Sequence, residues 1–143
     1  GSPIGSVTYT NHRRLHAHPE AAADVGVVAL TDEGLNSLAA PGVTGIGDAT
    51  ELGVVRALNS SGVGGAGEQV RSLHPRFALD RSGVWAEVIL IDAAISEGGD
   101  SGSIVVDEHE RVVGQIVGGH PPTYSLAQDI DLLLSDSTTT LRL

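Results

Sequence analysis

The segment Gly98-Gly99-Asp100-Ser101-Gly102 carries the residues of this chain that are best suited to covalent chemistry. Acyl transfer by serine needs a hydroxyl on a rigid, exposed turn, with backbone amides aimed at the oxygen that becomes negative. Glycines on both sides of Ser101 allow a sharp turn and leave the approach to the hydroxyl open. We therefore expect Ser101 to be a nucleophile and the amides of Gly99 and Ser101 to form an oxyanion hole. The alternative is an ordinary turn, which Gly-Asp-Ser-Gly also suits.

A serine nucleophile also needs a general base, and histidine is the side chain that titrates in the right range. His12, His16 and His18 lie in the polar stretch NHRRLHAHPE, for which a solvated loop is expected. The other histidines, His74, His109 and His120, are expected at the surface. Of these, His120 follows the strand next to the nucleophile and is expected to lie beside a substrate subsite. No histidine of the chain is therefore an evident partner for Ser101.

Short strands joined by tight turns must position these residues. Hydrophobic residues make up 41% of the chain but aromatic residues only 3%, and 19 glycines separate short runs rich in valine and isoleucine. This pattern predicts an all-β fold. VVDEHERVVG is expected to be a hairpin with a polar tip. The predicted strands cover residues 25–30, 43–46, 52–58, 84–91, 103–106 and 111–117.

One helix is predicted near the end of the chain, over residues 124–135. Leu126, Ile130, Leu133 and Leu134 have the spacing of a single apolar stripe, and Ser125 with Gln128 has the spacing of a capping box. Residues 136–143 have no periodicity and are expected to form a tail.

Composition excludes several functions. The formal net charge is −10 and every basic residue is arginine, so a nucleic-acid partner is not expected. Cysteine is absent, and no apolar run is long enough to span a membrane. No cofactor and no metal are expected, because His16, His18 and Glu20 lack further ligands. The glycines of the segment GVGGAG, residues 62–67, have the spacing of a dinucleotide-binding motif. The segment EQVRSLHP that follows is too short for the helix that this motif requires.

The order of strand, nucleophile loop and hairpin around Ser101, in VWAEVILIDAAISEGGDSGSIVVDEHERVVGQIVGG, resembles the chymotrypsin-like (trypsin-fold) serine peptidases. The similarity is greatest to their short, cysteine-free bacterial members. AADVGVVAL resembles the family's strand that carries the triad aspartate, which implies this role for Asp24. GVVRALNSSGVGGAG resembles a strand and turn of the family, although Leu58-Asn59 replaces the more usual Gly-Arg. Only the nucleophile loop is individually specific.

The resemblance implies a double β-barrel and a histidine that comes before the aspartate in the chain. No residue of this chain matches the histidine, which implies that the polypeptide begins inside the first barrel. Residues 1–3, Gly-Ser-Pro, are typical of a cloned tag and are set aside. Residues 4–40 would then hold the last strands of the first barrel with Asp24, residues 41–123 the second barrel, and residues 124–135 the helix. Two explanations fit: an N-terminal companion fragment carries the histidine and covers the open strand edges, or the polypeptide is truncated or is a catalytically inactive relative of the enzymes.

The function implied by the resemblance is a serine endopeptidase whose substrate is a protein or peptide. The residue six before the nucleophile would form the floor of the primary pocket, here Ile95, and the pocket wall would be formed by Ile116, Val117 and Gly118. An apolar floor favours a small or apolar substrate side chain over lysine or arginine. The alternative is a catalytically inactive peptidase-like domain that binds peptides or scaffolds an assembly. The sequence does not assign a cellular location.

Overall fold

The computed structural model describes residues 3–10, 25–37, 42–48, 53–59, 61–65, 68–78, 85–92 and 94–137. Within these ranges the chain is mostly β, with two short helices, so the all-β class predicted from composition is confirmed. The elements are β1 (Gly5–Thr10), β2 (Gly26–Leu30), α1 (Asp32–Ser37), β3 (Gly45–Ile46), β4 (Val54–Ala57), β5 (Glu68–Ala78), β6 (Trp85–Asp92), β7 (Ile104–Asp107), β8 (Arg111–His120), β9 (Tyr124–Asp129) and α2 (Ile130–Ser137).

A small sheet is formed by β1 and β2, which pair antiparallel from Gly5 opposite Leu30 to Thr10 opposite Gly26. Two of its valines are unusually open to solvent, with Val7 69% and Val28 46% exposed. The pairing leaves apolar side chains on a two-stranded sheet, which is marginally stable unless something packs against it.

The larger sheet has seven strands in the order β3-β8-β7-β4-β5-β6-β9, and β9 also pairs with β8. That second pairing runs from Gly114 opposite Asp129 to His120 opposite Tyr124. The sheet therefore curls until β8-β7-β4-β5-β6-β9 returns to β8, while β3 extends it through a short parallel pairing. Closing the edges in this way removes unpaired strand groups that would otherwise attract another chain.

The core fills the inside of this curled sheet with aliphatic side chains. Ile89 and Ile91 of β6 are almost completely buried, as are valines of β7 and β8. A side chain at Gly114 would collide with the main-chain carbonyl of Gln128, so glycine lets β8 and β9 approach closely. The main cluster consists of Val55, Ala57, Ile89, Ile91, Ile95, Val105, Val113, Ile116 and Ala127.

The predicted hairpin is confirmed: β7 and β8 pair antiparallel around a polar tip. The Asp107 carboxylate fixes the tip by accepting hydrogen bonds from the amides of His109 (2.9 Å) and Arg111 (3.0 Å). Glu110 adopts a positive φ of 61° and pairs with Arg56 on β4 at 2.5 Å. The tip is thereby tied to the neighbouring strand.

The predicted C-terminal helix is wrong in its first half. Residues 124–129 form strand β9, and the helix begins only at Ile130. β9 lies between β6 and β8 and is buried on both faces, so its apolar residues do not alternate and fit a helical stripe by chance. Asp129, rather than Ser125, caps the helix by accepting the Asp131 amide at 2.8 Å.

The segment EQVRSLHP, which is too short for a dinucleotide-binding helix, belongs to the long strand β5. β5 pairs with β6 along most of its length, with register shifts between Val70 and Ser72 and between His74 and Phe77. The second irregularity accommodates the proline that follows His74, which cannot donate a ladder hydrogen bond.

Candidate active site

The nucleophile loop consists of two successive turns between β6 and β7. The Asp100 amide donates to the Glu97 carbonyl (3.0 Å), and the Ser103 amide donates to the Asp100 carbonyl (3.0 Å). Gly99 and Gly102 occupy the third position of the two turns with φ of 98° and 91°. These are the positive values that a type II turn requires there, so the glycines are needed for the loop to adopt this path.

Ser101 is exposed and occupies the second position of the second turn. The loop is fastened to β8 because the Gly102 amide donates to the Ile116 carbonyl (2.8 Å) and the Ile116 amide donates to the Ser103 carbonyl (2.9 Å). Within the described part of the chain, the amides of Gly99 and Ser101 donate to no protein acceptor. Both are therefore available to an oxygen bound beside the serine.

Asp100, the residue before Ser101, is by contrast only 4% exposed. Its Oδ2 accepts hydrogen bonds from the Ser61 hydroxyl (2.7 Å), the Asn59 amide Nδ2 (3.1 Å) and the Glu97 backbone amide (3.0 Å). The Ser61 hydrogen bond is the main cause that lowers the pKa of Asp100, followed by the Glu97 amide, while burial opposes the shift. The carboxylate is thus held ionised beneath Ser101.

A cleft of about 190 Å³ opens beside Ser101. Two strand ends and the nucleophile loop meet there, and several of the wall positions are glycines without side chains. The lining residues are Ser96, Glu97, Gly98, Ser101, Ile116, Gly118, Gly119 and Pro121. Two of the predicted subsite residues, Ile116 and Gly118, are therefore at the cleft, whereas Val117 is not among its lining residues.

Ile95, the predicted pocket floor, has a side chain that is completely buried in the core, and it is not among the lining residues of this cleft. The β4–β5 loop packs directly on it: Gly64 has φ of 67°, and a side chain at Gly64 would collide with Ile95. An isoleucine at this position gains more from the core than from a solvent-filled cleft. Its neighbour Ser96 lines the cleft instead.

Ser96 is linked to Ser125 of β9. The two hydroxyl oxygens are 2.8 Å apart, and Ser125 Oγ accepts the Ile95 amide at 2.9 Å. Ser125 is completely buried, so its own hydrogen must be donated inside the protein. Ser96 Oγ is its acceptor within the described residues, which leaves the Ser96 hydrogen available on the cleft side.

The predicted triad aspartate and the histidines near it lie outside the described residues, so the structure does not relate them to Ser101; they are Asp24, His12, His16 and His18. His120 is exposed at the end of β8, where its ring lies 6.2 Å from that of Tyr124. His109 is exposed at the hairpin tip, and among the described residues no histidine hydrogen-bonds to Ser101.

Sequence reasoning missed four polar residues that shape the site: Asn59, Ser61, Ser96 and Ser125. A signal existed for Asn59, since Leu58-Asn59 interrupts the pattern that the resemblance leads one to expect. The serines gave no signal, because contacts between loops that are far apart in the chain leave no local pattern.

Comparison with known protein families finds none that matches this chain, and comparison with curated proteins finds no relative. Among the described residues, no helix has the length and apolar character needed to cross a membrane. No group of three metal-ligating side chains occurs in the same ranges.

Proposed function

We propose that this chain is part of a chymotrypsin-like serine endopeptidase in which Ser101 is the nucleophile. The observation that carries the proposal is the nucleophile loop: an exposed serine lies in the second of two consecutive glycine turns, next to a cleft, and two amides of the loop donate to no acceptor among the described residues. Neither a plain turn nor a core-forming loop needs this combination. The closed path of strands around the core supports the same class, with a second barrel completing the double-barrel fold.

The proposed reaction begins when Ser101 Oγ attacks a peptide carbonyl while its proton passes to a histidine. The carbonyl oxygen becomes negative and accepts hydrogen bonds from the amides of Gly99 and Ser101. The histidine then gives the proton to the leaving amine as the C–N bond breaks, and water releases the acyl group from the serine. In this scheme Asp24 orients the histidine, which an additional segment of polypeptide supplies.

The cleft supports a substrate preference for a compact side chain. Its volume is about 190 Å³, and it is bounded by Ile116 and by glycines. Among the described residues that line it, the only acid is Glu97, which is exposed, so no buried carboxylate there would attract lysine or arginine. We therefore expect small or neutral side chains before the cleaved bond.

A fluorophosphonate probe tests the assignment, because it reacts with activated serines. We expect labelling at Ser101 in the protein that includes the upstream segment, and loss of labelling in Ser101→Ala. Ser135→Ala, which changes an exposed serine on α2, is the matched control and should label normally. Failure of the longer protein to label at any pH would overturn the peptidase assignment in favour of an inactive, peptide-binding domain.

The 143-residue chain alone should hydrolyse peptides poorly. Loss of the general base from a serine peptidase lowers the turnover rate by about 10⁴-fold or more. Steady-state hydrolysis of a peptide library measures this directly. Rapid turnover by the isolated chain would contradict the missing-histidine model and would assign the base to His12, His16 or His18.

A further inference from the structure

The carboxylate of Asp100 is held by two separate parts of the chain. Glu97 contributes its amide from the same loop, whereas Asn59 and Ser61 reach across from the segment after β4. Asp100 is 4% exposed, and burying a charged carboxylate is costly unless hydrogen bonds compensate for the lost water, as those to Oδ2 do here. The contacts from Asn59 and Ser61 are therefore requirements of this loop and not incidental surface contacts.

These partners are electrically neutral. No ion pair with Asp100 occurs among the described residues, and the nearest ionisable side chain on its own loop, Glu97, is exposed. From the facing segment, Asn59 and Ser61 carry no charge. The charge of Asp100 is thus stabilised by hydrogen bonds from a hydroxyl and two amide groups, where a buried carboxylate commonly has a cation as its partner.

The same facing segment grips the loop at two further points. Asn59 Nδ2 donates to the Ile95 carbonyl at 2.9 Å, while its Oδ1 accepts the amide of Gly62 within its own segment at 3.2 Å. Gly64 packs against Ile95 so closely that no side chain fits between them. The two loops are therefore joined by several contacts, and Ser61 bonds directly to the residue that precedes Ser101.

We propose that Asn59 and Ser61 are positioning residues that hold Asp100 and thereby keep the amides of Gly99 and Ser101 directed toward the substrate oxygen. Asp100 lies between those two amides, so anchoring its side chain fixes the backbone on both sides. Gly99 can readily adopt other backbone angles, and without the anchor its peptide can rotate away. The catalytic part of this inference rests on the proposed peptidase function, whereas the anchoring does not.

Ser61→Ala tests the anchoring without any need for activity. Ser61 is exposed and its hydroxyl has two partners, Asp100 and the Val63 amide, so the variant is expected to fold. Because the folded pKa of Asp100 lies below the ordinary 3.8, its hydrogen bonds stabilise the protein above that value and are lost as the pH falls through the lower folded pKa. The melting temperature of the variant should therefore be lower at pH 7 and approach that of the wild type below pH 3.8.

Labelling by a fluorophosphonate tests the catalytic part in the protein that includes the upstream segment. We expect Ser61→Ala to lower the maximal labelling rate by about tenfold or more, the scale of a hydrogen bond to a charged group, with little change in probe affinity. Ser61→Thr keeps the hydroxyl and should restore the rate. Ser135→Ala controls for the loss of an exposed serine.

The outcomes separate this inference from the proposed function. If the wild type is not labelled but the melting-temperature gap closes in acid, the anchoring holds and the catalytic role is overturned along with the peptidase assignment. If the wild type is labelled and Ser61→Ala is labelled equally fast, the positioning role is wrong although the peptidase assignment stands. A melting-temperature gap that is the same at every pH would overturn the anchoring itself.

Discussion

Gly99 is one of two glycines that adopt a positive φ in the nucleophile loop. Its φ of 98° lies in a region that side-chain-bearing residues rarely adopt, although open space surrounds the position. A side chain added at Gly99 would therefore cause backbone strain but no steric clash, so a substitution there measures the strain alone. The neighbouring Gly98 offers the matched comparison, since a side chain there also meets nothing within 4 Å and its φ is not positive.

We expect Gly99→Ala to lower the free energy of unfolding by about 1–3 kcal/mol, the cost of holding alanine at such a backbone angle. Gly98→Ala should stay within about 0.5 kcal/mol of the wild type. Urea unfolding followed by circular dichroism measures both. Equal stabilities for the two variants would mean that the loop reaches its shape without the positive φ.

At the level of elements, the carboxylate of Asp129 lies at the junction between β9 and α2, where burial and neighbouring carboxylates disfavour its charge. Asp129 caps the helix, yet its pKa is raised, first by burial and also by the nearby carboxylates of Asp131 and Asp48. A folded pKa above the ordinary 3.8 means that the charged form destabilises the fold increasingly as the pH rises from 3.8 through the folded pKa.

Asp129→Asn keeps the capping oxygen and removes the charge. We therefore expect the variant to be more stable than the wild type at pH 7, with the difference vanishing below pH 3.8. Asp129→Ala removes the cap as well, which costs about 1 kcal/mol and offsets the gain. Thermal unfolding across this pH range tests both; an asparagine variant that is less stable at pH 7 would contradict the argument.

The elements that could be predicted from sequence are those with a strong local pattern. Strands β2, β6, β7 and β8 are rich in valine and isoleucine and are bounded by turn residues, and the nucleophile turn is marked by its glycines. β5 contains a proline, and β9 is buried on both faces, so neither shows alternation. The direction of the Ile95 side chain and the contact of Ser61 with Asp100 depend on how distant loops meet, which no local pattern encodes.

At the level of the whole molecule, the two sheets differ in how well they are protected. β8 and β9 pair with each other and with further strands around the core, while β1 and β2 pair only with each other among the described strands. Regions with few buried contacts open most easily. The valines that β1 and β2 expose fit the proposal that further polypeptide covers this sheet in the complete enzyme.

Hydrogen exchange followed by mass spectrometry measures this difference. In the isolated chain, we expect the amides of β1 and β2 to exchange at least about tenfold faster than those of β8 and β9. Addition of the proposed upstream segment should slow exchange in the small sheet and leave the large sheet unchanged. Equal protection of both sheets in the isolated chain would show that the small sheet is already covered.

The completely buried hydroxyl of Ser125 determines which kind of hydrogen-bonding group the cleft presents at Ser96. Since the Ile95 amide occupies one side of that oxygen, hydrogen donation runs outward, from main chain to Ser125 to Ser96. The wall of the cleft at Ser96 thus ends in a proton offered to whatever enters. A ligand with an acceptor oxygen at this point would accept the hydrogen bond from Ser96, whereas a hydrocarbon of the same shape would leave the Ser96 hydrogen without an acceptor.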